Sequence, residues 1–417
     1  MEEHLVVIGG GAAGFFAAVN AARMRPGLRV TLLEKSGKLL SKVKISGGGR
    51  CNLTHYCFDI DTLAGNYPRG ARFVKKAFHH FNTRDTVNWF EERGVELKAE
   101  KDGRMFPVSD KADTIIDCLL READLYGVKV ITHYDVKKLD IIPYQSDDTP
   151  GRFAIHSSTG RTIEADYLCV ACGGYPKESQ YDWLRSTGHL IDPPVPSLFT
   201  FNMPGEPITK LMGVSVGKVV AKIAGTKWRM EGSLLITHWG MSGPCILRLS
   251  AWAAEELADV HYNFTLSVDW VPDYPEQELP QNWERWRREF GGSKIYLHNP
   301  FGLPSRLWQY LLQKCEIADS MRWSELPAGK QKSLINLLKA SSFSVKGKTT
   351  FKEEFVTCGG VHLAEVDVNS MQSKKHPGLF FAGELLNVDG ITGGFNFQHA
   401  WTSGWIAAKA IAEMAEN

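Results

Sequence analysis

Near the start of the chain the run Gly9-Gly10-Gly11-Ala12-Ala13-Gly14 carries the spacing G-x-G-x-x-G. Such a run does its chemistry through the backbone. Gly9 permits a tight turn, Gly11 lets the main chain approach a pyrophosphate, and Gly14 lets a helix close onto a strand. The helix that follows aims free N–H groups and the positive end of its dipole at the phosphates. Glu34, twenty residues past Gly14, ends the next apolar run and is suited to accept hydrogen bonds from the hydroxyls of an adenosine ribose. A second glycine-rich turn lies at the other end of the chain. Gly378–Glu384 reads as a strand delivering Gly383-Glu384, followed by Asp389, Gly393-Gly394-Phe395-Asn396 and a long apolar helix. A helix N-terminus near 395–397 would face the electron-rich edge of an isoalloxazine and stabilise the anion of its reduced form. The first turn suits any ADP-bearing cofactor. The second, more than 350 residues away, suits one long enough to be clamped at both ends, and the pair points to FAD.

Elements of α/β character must position these turns. HLVVI (4–8), the Ala-rich stretch 12–23 and RVTLLE (29–34) predict a β–α–β unit. Amphipathic patterns predict helices over 84–94 and 112–127, the latter running into a strand over 128–136. From 151 the period changes. GRFAIHSS, a turn at Thr159-Gly160, and RTIEADYLCVACGG read as antiparallel strands. A Pro-rich stretch (Pro176, Pro193, Pro194, Pro196) marks the exit from the first domain. Short β-like runs over 197–270 predict a small barrel or sandwich, and 280–340 is helix-like with Trp283, Trp286, Trp308 and Trp323. Glycine-rich α/β character returns towards the C-terminus. The expected organisation is a discontinuous Rossmann-like FAD domain, 1–194 plus 345–417, around an insert at 195–344. The insert divides into a β-barrel (about 195–275) and a helical part (about 276–344).

Composition narrows the function classes. The 417 residues hold 48 Lys+Arg against 47 Asp+Glu, so no bulk field favours nucleic acid or an anionic membrane. No run approaches the ~18–20 apolar residues that span a bilayer. The start MEEHLVVIGGG is acidic and unlike a leader peptide. Eight cysteines are too sparse for a disulfide framework at this length. A cytoplasmic, reduced, globular protein is expected.

The set Gly9–Gly14, Ser46-Gly47-Gly48-Gly49-Arg50-Cys51-Asn52, Gly103-Arg104-Met105-Phe106-Pro107, Thr237–Pro244 and Gly383-Glu384…Asp389-Gly390…Gly393-Gly394 resembles the BaiN/YhiN-type FAD-binding flavoproteins. That family is also described as NAD(P)/FAD-dependent or aminoacetone-oxidase-like oxidoreductases. The resemblance runs from residue 4 to the final helix. It implies a two-dinucleotide-binding-type FAD domain with an inserted β-barrel and a small helical domain. It implies that Gly9, Gly11, Ala12, Ala13 and Gly14 hold the pyrophosphate, and Glu34 and Lys35 the adenosine end. Lys42 and Ser46, Gly47, Gly48, Gly49, Arg50, Cys51 and Asn52 would line the middle of FAD and approach the ring. Val136 would offer backbone atoms to adenine. Gly383, Glu384, Asp389, Gly393, Gly394, Phe395 and Asn396 would contact ribitol and flavin. Ala171-Cys172-Gly173-Gly174 would stand where the family usually has Ala-Thr-Gly-Gly, with a thiol replacing a hydroxyl at Cys172. His399 stands where an aromatic residue is expected.

Several residues carry candidate chemistry beyond cofactor binding. Arg50 would be a fixed cation beside the flavin pyrimidine or an anionic substrate, with a structural salt bridge as the alternative. His238 and His399 are candidate proton donors. Cys169 and Cys172 form a C-x-x-C on a strand, where residues three apart lie ~10 Å from each other, beyond the ~7 Å reach of a disulfide. Cys51 and Cys57 have one residue more between them than the pair in flavin disulfide reductases. The Trp/Arg-rich run 283–290 suits inward packing of its tryptophans better than nucleic-acid stacking. No second G-x-G-x-x-G follows Gly174, so NAD(P)H, as donor, would visit transiently or through the insert. The expected protein is a FAD-dependent oxidoreductase passing a hydride through flavin N5. It would reduce an activated C=C bond or oxidise a small organic molecule, with neither nucleic acid nor membrane as partner. The alternatives are a flavin-dependent tRNA-modifying enzyme and a non-catalytic FAD-binding redox sensor.

Overall fold

Leu5, Val6, Val7 and Ile8 follow one another without a polar break, and the strand they build (β1, His4–Ile8) is buried along its whole length. Continuous apolar runs of this kind are typical of parallel strands covered on both faces. The computed structural model describes residues 3–142, 152–350 and 356–415; Met1 and Glu2, in the acidic start, lie outside them. After β1 come helix α1 (Ala12–Met24) and strand β2 (Arg29–Leu33), followed further on by helix α2 (Ala112–Leu125) and strand β3 (Lys129–Ile131). Strands β4 (Tyr167–Val170) and β5 (Leu379–Phe381) and helix α3 (Phe395–Met414) complete the frame. The five strands form one parallel sheet in the order β5-β4-β1-β2-β3. The order reverses between β1 and β4, and in open α/β sheets ligands bind outside the carboxyl ends of the strands at such a point.

The first and last helices of the chain pack on each other. A Cβ at Gly404 would sit 2.8 Å from the Ala13 carbonyl oxygen, so the glycine sets how closely α3 approaches α1. Around them Phe16, Phe81, Trp89, Phe90 and Trp401 form a buried aromatic cluster.

The chain divides into two units, 1–197 with 351–417 and 198–350; the expected breaks stood at 194/195 and 344/345. Within the first unit the single strand expected over 128–136 is two. It breaks where His133 takes a left-handed φ of 55°, and residues Val136–Ile142 join a separate antiparallel sheet with Arg152–Ser157 and Thr162–Ala165. The run 161–174 is likewise divided, because Thr162–Ala165 belongs to that sheet and β4 to the parallel one. The Pro-rich segment forms strand Ile191–Ser197, paired with Val356–Val361. Its ladder shifts register between Asp192 and Val195, where Pro193 and Pro194 have no N–H to give.

The second unit holds a seven-stranded antiparallel sheet, with helices Leu279–Phe290, Ser305–Lys314 and Ala328–Ala340. Trp283, Trp286, Trp308 and Trp323 are all buried in one apolar cluster.

Candidate active site

The turn after β1 sits against the turn after β4. The Gly9 N–H donates to the Leu33 carbonyl (2.7 Å) and the Ala171 N–H to the Ile8 carbonyl (2.8 Å). A Cβ at Gly9 would lie 2.3 Å from the Ala171 oxygen, and one at Gly14 1.9 Å from the Gly9 oxygen. Packing within the protein therefore explains both glycines. It does not explain Gly11. A Cβ there would meet nothing within 4 Å, and its φ of −95° with ψ of −170° is ordinary extended backbone. Gly11 is also the N-cap of α1 and has no side chain with which to cap it. The first N–H groups of α1 have no intrahelical acceptor, and the ladder begins with the Phe15 N–H on the Gly11 carbonyl (3.0 Å). Open space over a glycine beside uncapped N–H groups fits a pyrophosphate.

Glu34 braces this turn. Its carboxylate accepts from the Gly10 N–H (3.0 Å) and from the Ser36 N–H and hydroxyl (2.8 Å each). Lys35 lies with its ammonium 5.6 Å from the ring centre of Tyr175, just beyond Gly174. Val136 opens its strand after Tyr134, whose N–H donates to the Glu34 carbonyl (2.9 Å). The residues expected at the adenosine end are thus brought together. Cys172 belongs to the same corner, and burial pushes its thiol up to about 11. Cys169 is fully buried and is pushed up to about 12. Both are free thiols, as are Cys51 and Cys57.

Gly383 brings the C-terminal turn to the same place, since a Cβ on it would sit 2.7 Å from that of Ala13. Glu384 accepts from the Thr357 N–H (2.9 Å) and from the Lys42 ammonium (2.5 Å). Lys42 follows β2 and Glu384 follows β5, so this ion pair crosses from one side of the crevice to the other. Thr357 carries no sequence signal, yet its hydroxyl is buried without a hydrogen-bond partner. It lies against Gly174, where a Cβ would be 2.5 Å away.

The helical turn that starts at Ser41 opens at the Ser46–Asn52 block. Ser46 is extended, and Gly47, Gly48 and Gly49 all take left-handed φ (58°, 70° and 85°), a conformation that strains other residues. Cys51 is buried and its thiol is pushed up to about 12 by desolvation, which makes it a poor nucleophile. With its side-chain amide in the orientation that satisfies both ends, Asn52 donates to the Thr54 carbonyl and accepts from the Gly394 N–H (3.0 Å each). It ties the block to the C-terminal turn. Asn396 clasps that turn across Gly390, whose N–H it accepts (2.8 Å) and to whose carbonyl it donates (2.9 Å). Gly394 leaves the N-terminus of α3 without a side-chain cap, as Gly11 does for α1.

Three expected roles look different in the structure. The Asp389 carboxylate is fully buried and is occupied by the Arg69 guanidinium (2.6 Å from Nε) and the Ser197 hydroxyl (2.6 Å), so it anchors the turn and has no free edge for ribitol. His399 lies buried behind Gly383. Its Nε2–H donates to the Gly383 carbonyl (3.2 Å), Nδ1 has no partner, and burial lowers the imidazole to about 4. It is neutral at pH 7 and has no proton to spare. Arg50 takes the structural alternative. Its guanidinium pairs with Glu100 (2.7 Å), approaches Asp110 (3.5 Å) and stacks 4.0 Å over the Phe106 ring. His238 is exposed in the second unit, its ring against Trp239.

His55 escaped the sequence reading because no motif marks it. Its Nδ1–H donates to the Gly393 carbonyl (3.0 Å), which can only accept, so Nε2 is left as the second nitrogen. The ring stacks on Phe395 with centroids 4.7 Å apart.

Residues 3–410 match the family model described as the HI0933-like protein Rossmann domain, and the chain belongs to that family. It is 30% identical over 417 residues to the 3-dehydro-bile acid delta(4,6)-reductase of Clostridium scindens, covering 98% of each chain. It is 27% identical over 418 residues to the ribosomal RNA dihydrouridine synthase of Haemophilus influenzae, again covering 98% of each. Among solved structures, a 3-ketosteroid-delta4-(5alpha)-dehydrogenase from Rhodococcus jostii RHA1 shares the fold, with a TM-score of 0.50 at 13% identity over 99% of this chain and 97% of that one. The chain is accordingly a FAD-dependent oxidoreductase. Among the described residues no helix is long and apolar enough to cross a membrane.

Proposed function

We propose that this HI0933-like flavoprotein saturates a carbon–carbon double bond conjugated to a carbonyl, using electrons from NAD(P)H. The reading is carried by one observation: two full-length relatives differ in substrate but agree in chemistry. A delta(4,6)-reductase acting on a 3-dehydro bile acid and a dihydrouridine synthase each bear the name of a reaction that adds two hydrogens across a ring double bond near a carbonyl. FAD, when bound, supplies the two-electron relay between such a donor and such an acceptor.

The chain's own residues would hold and orient that relay. The uncapped N–H groups from Ala12 to Gly14 would take the pyrophosphate, with the α1 dipole favouring its charge. Glu34 would keep Gly10 in place and accept a ribose hydroxyl. Lys42, Glu384 and the unpartnered Thr357 hydroxyl would meet the middle of the cofactor. The open start of α3, fixed by Asn52 and Asn396, would stabilise negative charge on the reduced ring. His55, held on the Gly393 carbonyl through Nδ1–H and stacked on Phe395, would fix the wall beside that turn.

The test is anaerobic. Purified yellow protein is mixed with NADH or NADPH, and then with a 4-ene-3-ketosteroid or an oligouridylate. The reading predicts that one donor bleaches the visible flavin band and one acceptor restores it. A flavin that neither donor reduces, or that only oxygen reoxidises, overturns it.

A further inference from the structure

A whole-chain charge of +1 conceals one strongly basic face in the first unit. Between residues 62 and 84 there is no Asp or Glu, while Arg69, Arg72, Lys75, Lys76, His79, His80 and Arg84 all fall there. Helix Ala71–Ala77 turns Val74 and Ala77 inward, with Phe78 just beyond it, and leaves Arg72, Lys75, Lys76 and His79 exposed. Their spacing of three, four and seven residues puts them in one stripe along the helix and its exit.

Most of the neighbouring acids are already committed. Asp59 caps helix Ile60–Ala64 through the Thr62 N–H (2.8 Å), Asp61 pairs with Lys75, and Asp85 accepts from the Asn82 N–H (2.8 Å). Arg69 is held by Asp389. Among the described residues Arg72, Lys76 and Arg84 have no ion-pair partner.

An aromatic pair lies beside one of these cations, Arg84. Tyr56 is 58% exposed and meets Phe58 edge-on at 4.7 Å, and the Arg84 guanidinium lies 5.0 Å over the Phe58 ring. Tyr56 follows His55 directly. The helix is fastened to the turn that carries Gly393 and Gly394: the Tyr67 hydroxyl donates to the Phe395 carbonyl (2.6 Å), and Gly70 has no Cβ where one would lie 2.6 Å from Val388. The helix is therefore attached to the turn that would hold the flavin ring.

We propose that this face docks a strand of RNA, with Arg72, Lys76 and Arg84 on phosphates and the exposed Tyr56, braced by Phe58, stacking on an unpaired base. Cations interleaved with an exposed aromatic are the arrangement that binds single strands. An acidic peptide would use the cations and leave the aromatic pair without a function, whereas an unpaired base uses both. The docking stands on this surface alone. Only the inference that the presented base is a uridine rests on the double-bond reading above.

The experiment uses the full FAD-loaded chain and a fluorescein-labelled oligouridylate of roughly twelve nucleotides, followed by anisotropy. Three phosphate contacts on a single strand give a salt slope of about −2, or about 20-fold weaker binding between about 50 and about 200 mM salt. The double variant R72E/K76E is expected to weaken binding at least tenfold and to flatten the slope to about −1. Tyr56→Ala is expected to weaken it about fivefold or more with the slope unchanged. Absence of binding overturns the proposal. So does binding that Tyr56→Ala leaves untouched and heparin reproduces, which is attraction to any polyanion. Co-sedimentation with phosphatidylglycerol vesicles, lost in R72E/K76E, without oligouridylate binding overturns it in favour of a membrane. The variants should keep their flavin and its reduction by NAD(P)H. Failed RNA binding with reduction intact counts against the docking alone, whereas failed reduction counts against the proposed function.

Discussion

Replacing Gly11 by alanine separates what the fold needs from what the cofactor needs. The new methyl meets no protein atom within 4 Å, and the backbone there is extended. Two small effects on the apo protein oppose each other. Removing glycine restricts the unfolded chain and stabilises by about 0.4–1 kcal/mol, while alanine is a poorer N-cap than glycine by roughly 0.5–1 kcal/mol. Apo stability should thus stay within about 1 kcal/mol of the parent. On the proposed function, however, the methyl would stand where the pyrophosphate approaches. Displacing a phosphate from two backbone N–H groups forfeits about 1.5–3 kcal/mol for each charge-assisted hydrogen bond. A loss of about 3 kcal/mol or more is over a hundredfold in FAD affinity. Gly14→Ala is the control with the opposite signature, since its Cβ would sit 1.9 Å from the Gly9 oxygen and overpacking of this kind costs about 1–3 kcal/mol or more. The assay pairs thermal melting of the two apo variants with FAD titration followed by tryptophan quenching. Gly11→Ala binding FAD within about threefold of the parent, or melting as early as Gly14→Ala, would refute the reasoning.

Other perturbations test other parts of the site. Asp389→Ala removes the buried carboxylate paired with the Arg69 guanidinium, itself 10% exposed, so urea unfolding should show a loss of about 3–5 kcal/mol. Lys42→Ala removes the exposed half of the pair with Glu384; stability should change by less than about 1 kcal/mol, while FAD release, read by its recovered fluorescence, should quicken. His399 and His189 are both lowered to about 4 by burial, so the unfolded chain binds protons that the folded one refuses. Stability is complete above about pH 6.5 and falls towards pH 4, each histidine contributing a loss of about 2 kcal/mol between neutrality and pH 5. His399→Asn should remove about half of that slope in denaturation series at the two pH values.

The glycine turns were legible in the sequence because their constraint is local: close approach and N-cap geometry need glycine wherever the chain goes next. The pairing of β1 with β2 follows from the same local β–α–β grammar. The direction of a polar side chain was not legible. Asp389 and Asn52 have the residue types a ribitol or flavin contact would use, yet one is spent on Arg69 and the other on Gly394. The partners that decide this lie hundreds of residues away. The break at His133 escaped for a related reason, since a lone left-handed residue inside a β-like run leaves the hydrophobic alternation intact. Thr357 and His55 belong to no motif and acquire meaning only beside Gly174 and Gly393. The basic face around Arg72 was averaged away by counting charges over the whole chain.

A crystal soaked with FAD gives the most direct test of the claim that both ends of the chain grip one cofactor. The account predicts phosphate density within hydrogen-bonding reach of the N–H groups following Gly11, and the ring beside Gly393 and Gly394. Density for the dinucleotide elsewhere, or on only one of the two turns, would contradict it.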